Sequence, residues 1–376
     1  MTENIKKLQE YLAELKQEKA VYTKTLKEGN PEFFGMAGNK DRKPEIVEDS
    51  SFLYIRSYVG DIGDRPFSGI AAWNSPDINI SPVTDIGNFG TTLHAGNSYS
   101  INVTLHNRGD ITVPFPKVEL FLTTPSLGFD TRFADLIGLT QYPGLLLSGG
   151  TDSLDYVYNV PVDLSGHRCL FARTYSFSPL DKPFDPYALQ PHLDRHIAQK
   201  NLNFVAQNSE YQFNLIHLPN TQEQIMFVPL TRQKVLELMH PGVLQFKIAD
   251  QIPRDALAKL EVMPLNKTPR GFQIKNNGRG VDVMGAGGKG WDVKEQAALM
   301  KQLKALSNPK RRADAETRKK VYRAFRAMNE HLTRTELTMK IPDFGLQPGQ
   351  LAGLNIVNTN QVTGEVKGGI TLLITG

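Results

Sequence analysis

Between residues 99 and 109 the chain reads YSINVTLHNRG, and Ile101, Val103 and Leu105 alternate with Asn102, Thr104 and His106. Successive side chains of an extended strand point to opposite faces, so this period of two predicts a half-buried strand. VPFPKVELFLTTPS (113–126) repeats the pattern through Val118, Leu120 and Leu122. SFLYIRSYVG (51–60), HRCLFARTYSF (167–177) and NLNFVAQ (201–207) are rich in the aromatic and β-branched residues that suit a pleated surface. A second β-type stretch begins near Tyr211 with YQFNLIHLPN, EQIMFVPL, GVLQFKIAD and AKLEVMPL. It resumes at the C-terminal end with ELTMKIPD, AGLNIVNT and GGITLLITG. Many short strands separated by Gly, Pro, Asn and Asp predict an all-β sandwich architecture.

Two segments switch to a helical period. Residues 3–28 carry Ile5, Leu8, Leu12, Leu15, Tyr22 and Leu26 on three- and four-residue steps, a narrow apolar stripe on a charged helix. Gly29-Asn30-Pro31 ends it. Such a stripe packs either on its own domain or on a partner subunit, with Leu8, Leu12 and Leu15 as the contact. Residues 292–333 read as a helical hairpin broken at Ser307-Asn308-Pro309. Val293, Ala297, Met300, Leu303 and Leu306 line its first helix, and Val321, Tyr322, Phe325, Met328 and Leu332 its second. Between strands, LTRQKVLELMHPG (230–242) has room for one or two helical turns.

The expected organisation is an N-terminal amphipathic helix (1–30), a connector with a leading strand (31–69), one sandwich (70–207) and a second (208–376) that carries the helical insertion. The fold class is mainly β. A chain of 376 residues is long enough for two or three cores.

Composition changes little, being 40% hydrophobic and 22% charged. The single cysteine excludes an internal disulfide and a multi-cysteine zinc site. The first residues lack the apolar core of a secretory signal, and no window reaches the eighteen or so apolar residues of a membrane span. A cytoplasmic location is the default expectation, with signal-independent export left open. The net charge of +4 is uneven. Residues 301–326 hold ten Lys or Arg against Asp314 and Glu316, which makes them +8 and the rest of the chain −4.

Candidate chemistry is thin. Cys169 lies in CLFA, where alternation puts it on one face with Phe171 and puts Leu170 and Ala172 on the other. A free cysteine in such a run is an inert core residue rather than a nucleophile. His192 and His196 have the spacing of two ligands on a helix, but Leu193 stands where a zinc-protease motif has Glu and no helix is expected. Asp194, Arg195 and Asn201 read as polar links beside a strand. GAGGKG (285–290) lacks the Ser or Thr that a phosphate-binding loop places after its lysine, and NKDR (39–42) stands without other GTPase features. No cofactor or metal is expected. The strongest functional signal is the basic second helix, whose Arg318, Lys319, Arg323 and Arg326 form a candidate contact surface for an acidic protein partner. Nucleic acid is the less favoured partner, because no stacking aromatics interleave the charges.

WNSPDI (73–78), INVTLHNRGD (101–110), HRCLFART (167–174) and DRHIAQKNLNFV (194–205) resemble bacterial immunoglobulin-like domains of the CARDB type over roughly residues 70–207. The resemblance implies a β-sandwich that ends in HRCLFART and HIAQKNLNFV as its last two strands, with no catalytic residues to carry over. Residues 208–376 fit a second sandwich by pattern alone. The expected role is therefore a non-catalytic structural or interaction protein in a bacterial assembly, with protein partners that include a second copy of the chain. The rival readings are an enzyme or toxin-like cargo carried on β modules, and a binder of anionic surfaces or nucleic acid through the basic hairpin.

Overall fold

The computed structural model describes residues 45–67, 71–83, 92–164, 166–178, 181–238, 243, 245–278, 280–285, 293–307, 314–361 and 366–376. Leu8, Leu12 and Leu15, the NKDR stretch and residues 286–290 lie outside them. The chain is mainly β.

In the first half, β4 (Ser98–Asn107) pairs with β10 (Thr151–Asn159) on one side and with β1 (Leu53–Tyr54) and β2 (Ile78–Pro82) on the other. Burial alternates along most of β4, as its sequence pattern requires. A second sheet runs in the order β13 (Ile197–Lys200), β12 (Cys169–Tyr175), β6 (Lys117–Thr123) and β8 (Asp135–Gln141). Ile101, Val103 and Leu105 of the first sheet meet Val118, Leu120, Leu122, Leu170 and Ala172 of the second in one core. Short pairings, β3 (Thr92–Leu93) with β11 (Gly166–His167) and β5 (Val113–Pro114) with β9 (Leu145–Leu146), flank this pair of layers.

The second half repeats the layering. One sheet runs in the order β14 (Leu202–Ala206), β23 (Val366–Thr375), β22 (Gln350–Asn360), β16 (Gln222–Leu230), β20 (Gly280–Met284) and β19 (Gln273–Asn276), with β17 (Lys247–Ile248) also on β22. The facing sheet is β18 (Glu261–Pro264), β21 (Thr333–Ile341), β15 (Ser209–His217) and β7 (Ser126–Leu127). Phe213, Leu215, Leu337 and Met339 meet Ile225, Leu354, Ile356, Ile370 and Leu372 between the layers. Short helices α1 (Arg232–Leu236) and α2 (Arg254–Leu257) sit in the connections. The longer α3 (Val293–Ser307) and α4 (Ala315–Asn329) fall between β20 and β21.

HIAQKNLNFV is not a single strand. It divides at Asn201: β13 pairs with β12, and β14 pairs in parallel with β23 in the other half. The cause is a buried seam. The Asn201 N–H donates to Trp73 O at 2.8 Å, and its Nδ2 donates to Gly369 O at 3.1 Å. Trp73 Nε1 donates to Thr371 Oγ1 at 2.9 Å, and its ring lies on Gly369, where any Cβ would fall 2.5 Å from Cζ2. The two-residue β7 likewise joins a strand of the second half. These crossings help make Ile46–Gly376 one compact unit. The SFLYIRSYVG stretch also differs from its pattern, since only Leu53–Tyr54 pairs as a strand.

Candidate functional site: a closed acid seam, a cleft and a basic helix

The stretch 176–196 carries no strand or helix among its described residues, yet much of it is buried. Buried backbone N–H groups need acceptors, and here aspartates supply them. Asp181 accepts from Leu53 N at 3.0 Å; Asp185 accepts from Tyr187 N and Ala188 N at 2.7 and 2.9 Å. Asp194 accepts from Phe184 N at 2.9 Å and His196 N at 3.0 Å. Buried carboxylates in turn need neutralising.

His196 does this for two of them. Its Nδ1 lies 2.7 Å from Asp194 Oδ1, its Nε2 lies 3.0 Å from Asp181 Oδ1, and Arg195 Nη2 donates to Asp181 at 2.7 Å. An imidazole between two carboxylates donates from both nitrogens only as the cation. Burial opposes that charge, but the charge of Asp194 and the two hydrogen bonds raise the imidazole above its ordinary pKa. Burial also pushes both carboxyls upward. The hydrogen bond from His196 and the Arg195 charge outweigh that push at Asp181, the His196 charge does so at Asp194, and both end below the usual range.

A second cluster repeats the device. Asp77 is fully buried; it receives Arg56 Nη2 at 2.6 Å and Arg56 N at 2.7 Å and faces His106 Nε2 at 2.8 Å. Burial would raise its carboxyl, but the His106 and Arg56 hydrogen bonds lower it overall. The Tyr54 ring stacks on His106 at 5.0 Å. Asp61 accepts from Ser57 N and Gly63 N and is paired with Arg65 at 2.9 Å. Sequence reading missed the partners of Asp77, because Arg56 and His106 lie 21 and 29 positions away, and it did not single out the local Asp61–Arg65 pair.

Cys169 is sealed. It packs with Phe171, Phe121, Phe129 and Ile197 on the outer side of β12, while Leu170 and Ala172 enter the core between the layers. This division of faces is the one its alternation implies. Burial pushes the thiol well above its ordinary value, so the nucleophilic thiolate is suppressed. Cys169 is thus packed among apolar side chains, whereas His196 spends both nitrogens on aspartates.

Beneath the helical pair lies a cavity of about 70 Å³ lined by Phe129, His192, Ile216, Met300, Phe325 and Lys367, among others. Phe129, His192 and Lys367 also line a neighbouring void of about 20 Å³ beside Trp73. Asn329 Nδ2 and Gln199 Nε2, on the rims of these spaces, are buried without a protein partner. Both volumes are far below the ~300 Å³ of a small-molecule site, so each suits a few waters.

The helical pair covers the 181–196 stretch. Val321, Phe325 and Met328 of α4 pack with Leu299 and Leu303 of α3 against Ala188 and Leu218. Asp314 caps α4, accepting from Thr317 N at 2.8 Å. Of the four basic candidates, Lys319 and Arg323 stand exposed one turn apart, and Arg318 is half-buried. Arg326, expected on the same free face, leans back onto the body. Its Nε is 3.6 Å from Asp185 Oδ2, and its guanidinium is 5.9 Å from the Tyr187 ring centre. Lys320 is exposed beside Lys319.

No family model and no curated protein matches the chain. Structure comparison finds the CupB6 tip adhesin from Pseudomonas aeruginosa at 10% identity, covering 81% of this chain and 96% of that one, with a TM-score of 0.17. It also finds a bacterial adhesin from Mobiluncus mulieris with intramolecular disulfide, isopeptide and ester cross-links, at 9% identity, 56% and 92% coverage and a TM-score of 0.18. An Escherichia coli alpha-2-macroglobulin activated by porcine elastase follows at 7% identity, 79% and 22% coverage and a TM-score of 0.16. At these TM-scores the similarities carry no weight for fold or function.

Proposed function

We propose that the chain is a non-catalytic interaction protein of a bacterial assembly, built on two immunoglobulin-like β-sandwich modules. It docks an acidic protein surface through the outer face of α4. The observation that carries this reading is the division of labour on α4. Val321, Phe325 and Met328 anchor it, and Lys319, Lys320 and Arg323 face outward from a helix held in place by its neighbours. Basic side chains on an anchored helix present charge without the ordering cost of a loose segment. The enclosure of Cys169, His196 and His106 in closed networks supports the non-catalytic part. The stripe Leu8, Leu12 and Leu15 is a second proposed contact, with a copy of the chain or another subunit.

The test of the α4 surface is charge reversal with Lys319→Glu and Arg323→Glu. A protein partner recovered by the wild type should be lost by the double variant and regained when acids on that partner are changed to lysine. A partner held equally by both proteins excludes α4. Salt-sensitive binding of a single-stranded oligonucleotide, abolished by the same variants, would instead assign the face to nucleic acid. Light scattering of a Leu8→Glu, Leu12→Glu, Leu15→Glu variant tests the stripe; an unchanged oligomeric state removes it as a self-contact.

A further inference from the structure

We infer that Lys367 and Asn358 are joined side chain to side chain by an amide, formed with loss of ammonia and assisted by Glu223. The three residues come from neighbouring strands β23, β22 and β16. Glu223 and Asn358 are fully buried, and the Lys367 side chain is 21% exposed. One carboxylate holds both reactants. Glu223 Oε1 pairs with Lys367 Nζ, and Glu223 Oε2 accepts from Asn358 Nδ2 at 2.8 Å. The amine and the amide are therefore held side by side, within the span of a single carboxylate.

Two further observations single this place out from an ordinary ion pair. The first is the register. Asn358 faces Gly368 and Thr359 faces Val366, so Lys367 is the extra residue of a bulge in β23. A bulge re-aims a side chain that regular alternation would send to the other face. The second is Asn358 Oδ1, which is buried without a hydrogen-bond partner. A buried carbonyl left in this state calls for an explanation.

The chemistry balances without an outside reagent. The Lys367 ammonium gives one proton to the Glu223 carboxylate and becomes an amine. Its lone pair attacks Asn358 Cγ, forming the Nζ–Cγ bond. Glu223 relays a second proton from Nζ to Nδ2, the Cγ–Nδ2 bond breaks, and ammonia leaves. One hydrogen stays on Nζ as the new amide N–H, and Glu223 ends neutral. Held geometry substitutes for an activated acyl group, and the Asn358 amide under attack is itself buried. The product has one positive charge and one buried negative charge fewer, and it ties the bulge of β23 to β22.

The experiment is mass spectrometry of the purified full-length chain. The expected intact mass is lower than the sequence mass by one ammonia. Cleavage after Glu365 should leave the fragment that starts at Val366 attached to the one containing Asn358, and trypsin should spare the bond after Lys367. Lys367→Arg and Glu223→Gln should each restore the full mass. The wild-type reading stands even where a variant fails to fold. A wild-type chain at full sequence mass, with separable fragments after cleavage at Glu365, overturns the proposal. A linked fragment pair that persists in Glu223→Gln overturns the role given to Glu223.

Discussion

Replacing His196 with Asn is the most informative perturbation of the acid seam. The imidazolium satisfies Asp194 at 2.7 Å and Asp181 at 3.0 Å, and it is itself 2% exposed. Its removal leaves the two acids unequal. Asp181 keeps Arg195 at 2.7 Å and the Leu53 N–H. Among the described residues Asp194 keeps the backbone donors Phe184 N and His196 N, and it loses its charged partner. Breaking a buried ion pair from one side costs ~3–5 kcal/mol, and the surviving donors put the expectation near the lower end, about 3 kcal/mol. Such a loss corresponds to a change of more than a hundredfold in the folding equilibrium. Urea unfolding followed by the fluorescence of buried Trp73 measures it, with the slope of the transition checked for constancy. Adding Asp194→Asn should restore part of the loss, since an amide needs no counter-charge. A single-variant loss below ~1 kcal/mol, the range of a site without special contacts, would refute the claim that His196 neutralises this seam.

The same seam sets a pH window. Asp181 and Asp194 are lowered in the folded chain, so their contribution is present above the unfolded value near 4 and lost as pH falls toward their folded values. His196 is raised, so its contribution is complete below about 6.5 and lost as pH rises through its folded pKa. Stability from this cluster should therefore peak between about pH 4 and 6.5, and the alkaline slope should shrink in His196→Asn; an unchanged slope counts against the assignment. Gly369→Ala places a methyl group 2.5 Å from the Trp73 ring and should cost ~1–3 kcal/mol in urea unfolding, whereas a loss under ~0.5 would show that the seam is loose. Lys319→Glu with Arg323→Glu should leave stability within ~0.5 kcal/mol of wild type, because both side chains are exposed; a larger loss would make them structural rather than contact residues.

What was legible in the sequence is what depends on local period. Alternation in β4 and β6 assigned their inward faces, and the four residues of CLFA were correctly divided between two sides. The end of α3 at Ser307, just before Asn308-Pro309, is equally local. What escaped is contact at long range. Nothing in HIAQKNLNFV marks Asn201 as a crossing point, because its partners Trp73 and Gly369 lie 128 and 168 positions away. Asp194 reads as a polar link beside a strand, and Asp181 and Asp185 give no signal, because the backbone donors that they satisfy are buried only by the fold. Arg326 keeps the helical step with Lys319 and Arg323 and is 45% exposed, but no sequence signal shows that its guanidinium also reaches Asp185 and Tyr187, neither of which lies on its own helix.

If the thiol and the imidazole serve the scaffold, Cys169 must be out of reach in the folded chain. Its reaction with a bulky maleimide under native conditions, followed over hours against the same chain in denaturant, decides the matter. Modification should be undetectable at first and then rise only as fast as the whole chain unfolds. Stoichiometric labelling within minutes, while the tryptophan signal stays native, would mean that β12 is open to solvent and that the reading of a closed, non-catalytic interior is wrong.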